Sequence, residues 1–153
     1  MLKMIVAMDQ DQGIGFEGGL LKHLHGDLPR FRDMTWGHPI IMGRLTASSL
    51  PKALPGRENC VVSHQPYDRE GFGWWNTKQL SDFCQNPPVW DSWIIGGGQI
   101  YAFCLPFIDE LYVAHFEQTA VIPDTFFPTF LPDFRAVDRQ DCGDHEFVKY
   151  VRK

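Results

Sequence analysis

Apolar residues along this chain occur as short unbroken runs rather than in strict alternation with polar residues. Such runs are typical of strands buried on both faces of a mostly parallel sheet. They predict strands at Leu2 to Met8, Pro39 to Met42, Asn59 to Ser63, Trp93 to Ile95, Glu110 to Phe116 and, near the end of the chain, Glu146 to Val151. Helical spacing and helix-start signals predict helices at Leu24 to Thr35, Arg44 to Ser49, Thr77 to Cys84 and Gly98 to Phe107.

These elements predict an α/β fold with a central, mostly parallel sheet and helices on both faces. A Phe-rich stretch late in the chain is expected to add antiparallel edge strands. The 153 residues, of which 44% are hydrophobic and 22% charged, suit one domain spanning residues 1–153. We see no linker, repeat or low-complexity segment that would divide it.

Charge and cysteine content narrow the partners that we expect. A net charge of -5 argues against nucleic acid or an anionic membrane as a partner, because both require a basic face. The four cysteines have no metal-ligand or disulfide-framework spacing, and the six histidines show no HxxxH pattern, so we expect reduced, buried thiols and no metal. The apolar N-terminal run is too short for a signal sequence or a membrane span, which predicts a cytoplasmic protein.

Two glycine-bearing strand ends are candidates for binding phosphate groups. Gly43 precedes Arg44 and Thr46 at one predicted helix start, and the segment Ile95-Gly96-Gly97-Gly98 leads into another. Backbone without side chains can approach a pyrophosphate closely, and helix N-termini favour anions. Two such sites suit a dinucleotide, although close packing of a strand against a helix would also explain a glycine triplet.

A carboxylate and a guanidinium complete the candidate chemistry. Asp27 and Phe31, four residues apart, share one helix face, so that an acid beside an aromatic ring could line a cleft and handle protons. A helix-capping Asp is the alternative. Arg57 follows the Pro55-Gly56 turn and offers a planar fork for a carboxylate, unless it is a solvated surface arginine.

A formal dinucleotide fingerprint, Gly13-x-Gly15-x-x-Gly18, lies early in the chain. The fingerprint requires its first glycine directly at the strand end and a helix at the third, but residues 9–12 intervene here and Gly19 follows. We therefore interpret the segment from Gly15 to Lys22 as a mobile loop.

The chain resembles the dihydrofolate reductase family over nearly its whole length. The resemblance is carried by Ile5 to Ala7, Gly13-Ile14-Gly15, Asp27, Phe31, the run from Pro39 to Arg57 and Ile95 to Gly98. It implies NADPH-dependent reduction of 7,8-dihydrofolate to 5,6,7,8-tetrahydrofolate by a monomer without a metal. Alternatives are a reductase of the same fold acting on another substrate, such as a riboflavin-pathway intermediate, and a folate-binding homologue with poor catalysis.

The resemblance also implies residue roles. Asp27 would hold the pterin and promote protonation of its imine nitrogen, and Leu20, in the lid formed by Gly15 to Lys22, would be catalytic with it. Substrate would contact Ile5, Ala7, Asp27, Leu28, Phe31, Leu50, Leu54, Arg57, Ile95 and Tyr101, with Arg57 on the glutamate tail. The cofactor would contact Ala7, Ile14, Gly15, Leu20, Gly43, Arg44, Leu45, Thr46, Ser63, His64, Gly96, Gly97, Gly98, Gln99, Ile100, Tyr101 and Thr125.

The sequence departs from the family pattern at four notable places. Leu21-Lys22 stands where a Pro-Trp pair is usual in the lid, and Ala114 stands where a threonine usually supports the carboxylate. We expect altered lid motion and a carboxylate that lacks one hydrogen-bond partner. Gln99 and His64 occupy positions where basic or hydroxyl groups often hold the 2'-phosphate, which weakens the expected preference for NADPH over NADH.

Overall fold

The computed structural model describes residues 1–117 and 120–153. Its strands are β1 (Leu2–Met8), β2 (Gly13–Gly15), β3 (Ile40–Gly43), β4 (Asn59–Val62), β5 (Phe72–Trp75), β6 (Ser92–Gly96), β7 (Glu110–His115), β8 (Thr125–Phe126), β9 (Phe134–Asp141) and β10 (Glu146–Arg152). Its helices are α1 (Asp27–Thr35), α2 (Arg44–Ser49), α3 (Thr77–Gln85) and α4 (Gly98–Cys104), and a 3₁₀ turn, Leu105–Phe107, follows α4.

Eight strands form one sheet in the order β5-β4-β3-β6-β1-β7-β10-β9. The first six are mutually parallel, whereas β10 and β9 pair antiparallel at one edge. The predicted fold class is therefore confirmed. β2 and β8 form a separate two-stranded sheet. The single-domain organisation stays a prediction.

Alternation along β1 separates the two faces of the sheet. Leu2, Met4, Val6 and Met8 belong to a core cluster that also contains residues of α3 and α4. Ile5 belongs to a second cluster with Ala47 of α2, against which residues of α1 pack. Because successive side chains of a strand point to opposite faces, helices cover both faces of the sheet.

Several predicted boundaries need correction. α1 begins at Asp27 rather than Leu24, because Gly26 adopts a left-handed conformation (φ 75°) before the first helical turn. α4 ends at Cys104, where the chain tightens into the 3₁₀ turn. Sequence patterns missed β5, whose mixed, half-exposed residues suit an edge strand. The Phe-rich stretch contributes β8 and core residues rather than the main sheet's edge, which begins at Phe134.

All four cysteines are free. Cys60, Cys84 and Cys104 are buried as predicted, whereas Cys142 is partly exposed. Burial raises the pKa of the Cys60 thiol to about 12. In the part of the chain that the structure describes, no helix is long and apolar enough to cross a membrane.

Asn59, at the start of β4, fixes the loop before it. Its side chain is almost fully buried; Oδ1 accepts from the backbone N–H of Leu54 at 2.9 Å, and Nδ2 donates to the carbonyls of Leu54 at 2.9 Å and Arg57 at 3.0 Å. The hydrogen bonds of this one buried side chain thus hold the loop of residues 54–58, which lies outside any helix or strand.

We expect Asn59→Ala to lower the free energy of unfolding by about 1 to 3 kcal/mol, since it leaves buried backbone groups without partners. Urea unfolding measures the change, with exposed Asn86→Ala as the matched control, expected within about 0.5 kcal/mol of wild type. Equal stability of Asn59→Ala and Asn86→Ala would contradict the anchoring role.

Candidate active site

Two adjoining clefts open beside the carboxyl ends of β1, β3 and β6, where open α/β sheets characteristically bind ligands. The larger, which we call the Asp27 cleft, has a volume of about 380 Å³. Its walls are mainly apolar and include all predicted substrate contacts except Arg57: Ile5, Ala7, Asp27, Leu28, Phe31, Leu50, Leu54, Ile95 and Tyr101.

The second cleft, which we call the glycine cleft, has a volume of about 220 Å³. It shares several walls with the first, including Ala7, Leu20 and Tyr101. Eleven predicted cofactor contacts line it: Ala7, Ile14, Gly15, Leu20, Leu45, Thr46, Gly96, Gly97, Gly98, Tyr101 and Thr125. Leu20, Leu28 and Leu45 are each about two-thirds exposed along these clefts, which is the kind of apolar surface that a ligand covers.

The glycine cleft depends on residues without side chains. Gly96 has φ 116° and is joined to Gly97 by a cis peptide bond. A Cβ on Gly96 would lie 3.1 Å from the Tyr101 ring, and one on Gly98 would lie 2.9 Å from Cγ2 of Thr125. The buried Tyr101 hydroxyl donates to the Ile5 carbonyl at 2.8 Å, and burial raises the pKa of this phenol well above its usual value. The missing side chains let Tyr101 and Thr125 pack closely, and Gly96, Gly97 and Gly98 line the cleft with bare backbone, as an approach of phosphate groups requires.

Asp27 opens α1 at the wall of the larger cleft and forms an ion pair with Arg30 on the next turn. Nη2 of Arg30 lies 2.7 Å from Oδ1 of Asp27, and the two side chains are 18% and 24% exposed. Ala114 is buried in a cluster with Leu21 and has no hydroxyl to offer, as expected from the sequence. A charged donor is thus present beside the carboxylate despite the missing threonine.

Arg30 is itself held by residues from the other end of the chain. Its guanidinium carbon lies 3.7 Å from the centre of the Phe147 ring, and Nη1 lies 2.9 Å from Nε2 of His145. The His145 ring is fully buried, with Nδ1 2.6 Å from Oδ1 of Asp144. Hydrogen bonds from His145 and from the His25 backbone lower the pKa of Asp144. These contacts connect the helix start to the β9–β10 loop.

Sequence reasoning missed this network. The i,i+3 spacing of Asp27 and Arg30 was a usable signal, because such residues are neighbours on a helix surface. His145 is 115 residues away from Arg30, and no local pattern joins them. The Asp27 cleft is also lined by His23, Ser49 and Gly19, which were not predicted.

Arg57 lies outside the lining of the cleft, near Phe31 and Trp36. Its guanidinium carbon is 5.9 Å from the Phe31 ring centre and 5.5 Å from that of Trp36. Nε donates to the Pro55 carbonyl at 2.9 Å and Nη1 to Oγ1 of Thr35 at 3.1 Å. Partial burial, and secondarily the charge of Arg32, lower the pKa of Arg57. The guanidinium is oriented by these contacts, and Nη2 takes no part in either hydrogen bond.

The segment Gly15 to Lys22 covers the junction of the two clefts. Phe16 and Gly19 exchange backbone hydrogen bonds around a tight turn at Glu17 and Gly18. Asp124 braces this turn: Oδ2 accepts from the Glu17 N–H at 2.9 Å, and its own N–H donates to Gly15. The bonds from Glu17 and from the Thr125 hydroxyl lower the pKa of Asp124.

The remaining predicted cofactor residues lie outside the lining of the glycine cleft. Gly43 is next to it, since a Cβ there would lie 3.1 Å from Cγ1 of Ile100 and 3.7 Å from the Gly97 nitrogen. Arg44, His64 and Gln99 are exposed, and Ser63 hydrogen-bonds the Gln65 carbonyl. Within residues 1–117 and 120–153, no group of three or more His, Cys, Asp or Glu side chains could hold a metal ion.

Comparisons with known proteins agree with one another. The family model described as dihydrofolate reductase matches residues 1–152. The dihydrofolate reductase of Bacillus subtilis is 36% identical over 166 residues, covering 100% of this chain and 95% of that protein. That of Haemophilus influenzae is 34% identical over 159 residues, covering 98% of each.

A solved structure gives the same result at the level of the fold. Dihydrofolate reductase from Enterococcus faecalis, complexed with NADP(H) and RAB-propyl, is 28% identical, with a TM-score of 0.88 over 100% of this chain and 96% of that one. The resemblance predicted from the sequence is confirmed. The chain belongs to the dihydrofolate reductase family.

Proposed function

We propose that this chain catalyses the NADPH-dependent reduction of 7,8-dihydrofolate to 5,6,7,8-tetrahydrofolate, the activity of the family to which it belongs. One observation carries the proposal. The Asp27 carboxylate stands on the wall of a largely apolar cleft that shares walls with a cleft of bare glycine backbone. A carboxylate that can bind a pterin therefore lies next to a cleft that can bind a dinucleotide.

In the Asp27 cleft, the carboxylate would accept hydrogen bonds from the 2-amino group and ring N–H of the pterin. Its negative charge would favour protonation of the imine nitrogen. Leu28, Phe31, Leu50 and Leu54 would enclose the aminobenzoyl group, and Arg57, beyond the end of the cleft, would bind the α-carboxylate of the glutamate tail.

NADPH suits the glycine cleft, because Gly96, Gly97 and Gly98 line it with backbone that carries no side chains. The cofactor, when bound, supplies the hydride. Gly97, Gly98 and Thr46 would hold its pyrophosphate, and exposed Arg44, with Ser63 and His64, would hold the 2'-phosphate. Leu20 of the braced lid would exclude water from the junction of the clefts, which favours transfer of a hydride.

We also propose that the enzyme is a cytoplasmic monomer without a nucleic-acid or membrane partner. The net charge of -5 argues against a polyanionic partner. The four free cysteines support a reducing compartment. Sedimentation of the purified chain measures its mass in solution and so tests whether it is a monomer.

Oxidation of NADPH in the presence of dihydrofolate, followed by the loss of NADPH absorbance, tests the reaction itself. Turnover that depends on Asp27 supports the proposal. Tight folate binding without turnover would instead support a folate-binding homologue. Neither binding nor turnover would point to a reductase with another substrate.

The two charged substrate contacts should give different kinetic signatures. We expect Asp27→Asn to lower kcat about a hundredfold or more, and increasingly as pH rises, because the amide cannot draw a proton to the pterin while solvent protons become scarce. Arg57→Ala should raise KM for dihydrofolate about ten- to a hundredfold and keep the wild-type pH profile, since a charge-assisted pair is lost. Steady-state kinetics across pH measure both, and matching pH profiles would sink the assignment.

Arg44 should set the cofactor preference. We expect Arg44→Gln to raise KM for NADPH about tenfold while KM for NADH changes little, because only NADPH carries the 2'-phosphate that would pair with the guanidinium. Exposed Lys52→Gln, a loss of charge after the same helix, is the matched control and should leave both KM values unchanged. Equal changes for the two cofactors would contradict a role in recognising the phosphate.

A further inference from the structure

The Asp27 carboxylate does not face the cleft as an isolated anion, because a guanidinium accompanies it at 2.7 Å. We propose that Arg30 is a specificity-determining residue that offsets part of the charge of Asp27 and thereby weakens the preference of the site for cationic over neutral pterins. This inference rests on the proposed function, in which a pterin ring lies against Asp27. The resemblance to the family assigned no role to Arg30, and Arg30 lines neither cleft.

The guanidinium is fixed from three directions. Asp27 contacts Nη2, His145 contacts Nη1, and the Phe147 ring packs 3.7 Å from the guanidinium carbon. Nε is buried without a hydrogen-bond partner among the described residues, which shows how closely apolar atoms surround this side chain. Contacts on three sides therefore hold the Arg30 guanidinium beside the Asp27 carboxylate.

Other ionisable groups nearby belong to the same network, to the lid or, in the case of His23, to the wall of the Asp27 cleft. His145 lies between Arg30 and Asp144, and Asp144 also accepts the His25 N–H and is influenced by the charge of Lys22. His23 lines the Asp27 cleft. The Asp144 carboxylate contacts His145 and the backbone N–H of His25, and it does not line the Asp27 cleft. Asp27 lines the cleft and Arg30 does not, so the guanidinium reduces the negative charge that a ring in the cleft meets without cancelling it.

Neutral and cationic rings respond differently to such a pair. A neutral pterin needs hydrogen-bond acceptors, and a carboxylate engaged at Oδ1 still offers lone pairs on both oxygens. A cationic ring gains most from an uncompensated negative charge, and the nearby guanidinium opposes that gain. Both side chains are less than one-third exposed, so water screens this opposition only in part.

The test compares two ligands that differ at one ring position. Folate carries a 4-oxo group, whereas its 4-amino analogue is a stronger base that can bind beside a carboxylate as a cation; their tails are identical. We expect Arg30→Met to increase the preference for the analogue over folate about tenfold or more, as the ratio of two dissociation constants. Arg30→Lys, which keeps the charge, should stay near the wild-type ratio. Exposed Arg139→Met is the control and should leave the ratio unchanged.

Quenching of tryptophan fluorescence measures binding, and thermal unfolding checks that each variant is folded. Methionine packs well on an aromatic ring; if Arg30→Met does not fold, Arg30→Gln replaces it. A ratio within twofold of wild type, or an equal loss of both ligands, would overturn the inference and leave Arg30 a structural role. Absence of folate binding by the wild-type chain would overturn the proposed function instead.

Discussion

The close approach of backbone at the carboxyl ends of β3 and β6 is the constraint on which both clefts depend. The register between these strands shifts so that Met42 pairs with Gly96, and Gly43 lies against Ile100 of the next helix. A Cβ on Gly43 would lie 3.1 Å from Cγ1 of Ile100 in α4, and one on Gly98 would lie 2.9 Å from Cγ2 of Thr125 in β8, so a side chain at either position would force these neighbours to shift. Because the helices begin where the strands end, the same contact brings two helix starts to one edge of the sheet.

The loops around this edge are held by polar side chains that come from distant parts of the chain. Asn59 fixes the loop that carries Arg57, Asp124 braces the lid at Glu17, and Asp144 accepts the His25 N–H. Each carboxylate or amide binds backbone groups that have no partner in a helix or sheet. Loops that would otherwise move independently are therefore tied to the sheet, which is how a rigid scaffold positions functional groups.

Two of the departures from the family pattern, Leu21 and Ala114, lie in one region of the molecule. Leu21 of the lid packs in the same cluster as Ala114, and Phe147, which packs against that cluster, also carries the Arg30 guanidinium. An apolar lid residue, a missing hydroxyl and the Arg30 guanidinium thus share one environment beside Asp27. The charge of Arg30 changes which ligands suit the site, whereas a hydroxyl would only have added a hydrogen bond.

The sequence by itself determined the fold class, the order of most strands and helices, and the family, because buried runs, glycine turns and the Asp27–Phe31 spacing are local signals. The resemblance to the family, which these motifs carry, named most of the residues that line the two clefts. Only the tertiary structure decided that Arg30 pairs with Asp27 and is held by His145, that Asn59 orients the Arg57 loop, and that β5 extends the sheet. The contact between Arg30 and His145 joins segments 115 residues apart, about which neither periodicity nor motif spacing carries information. The pairs Asp27–Arg30 and Asn59–Arg57 are local in the chain, but spacing alone does not decide which of the available partners a polar side chain takes.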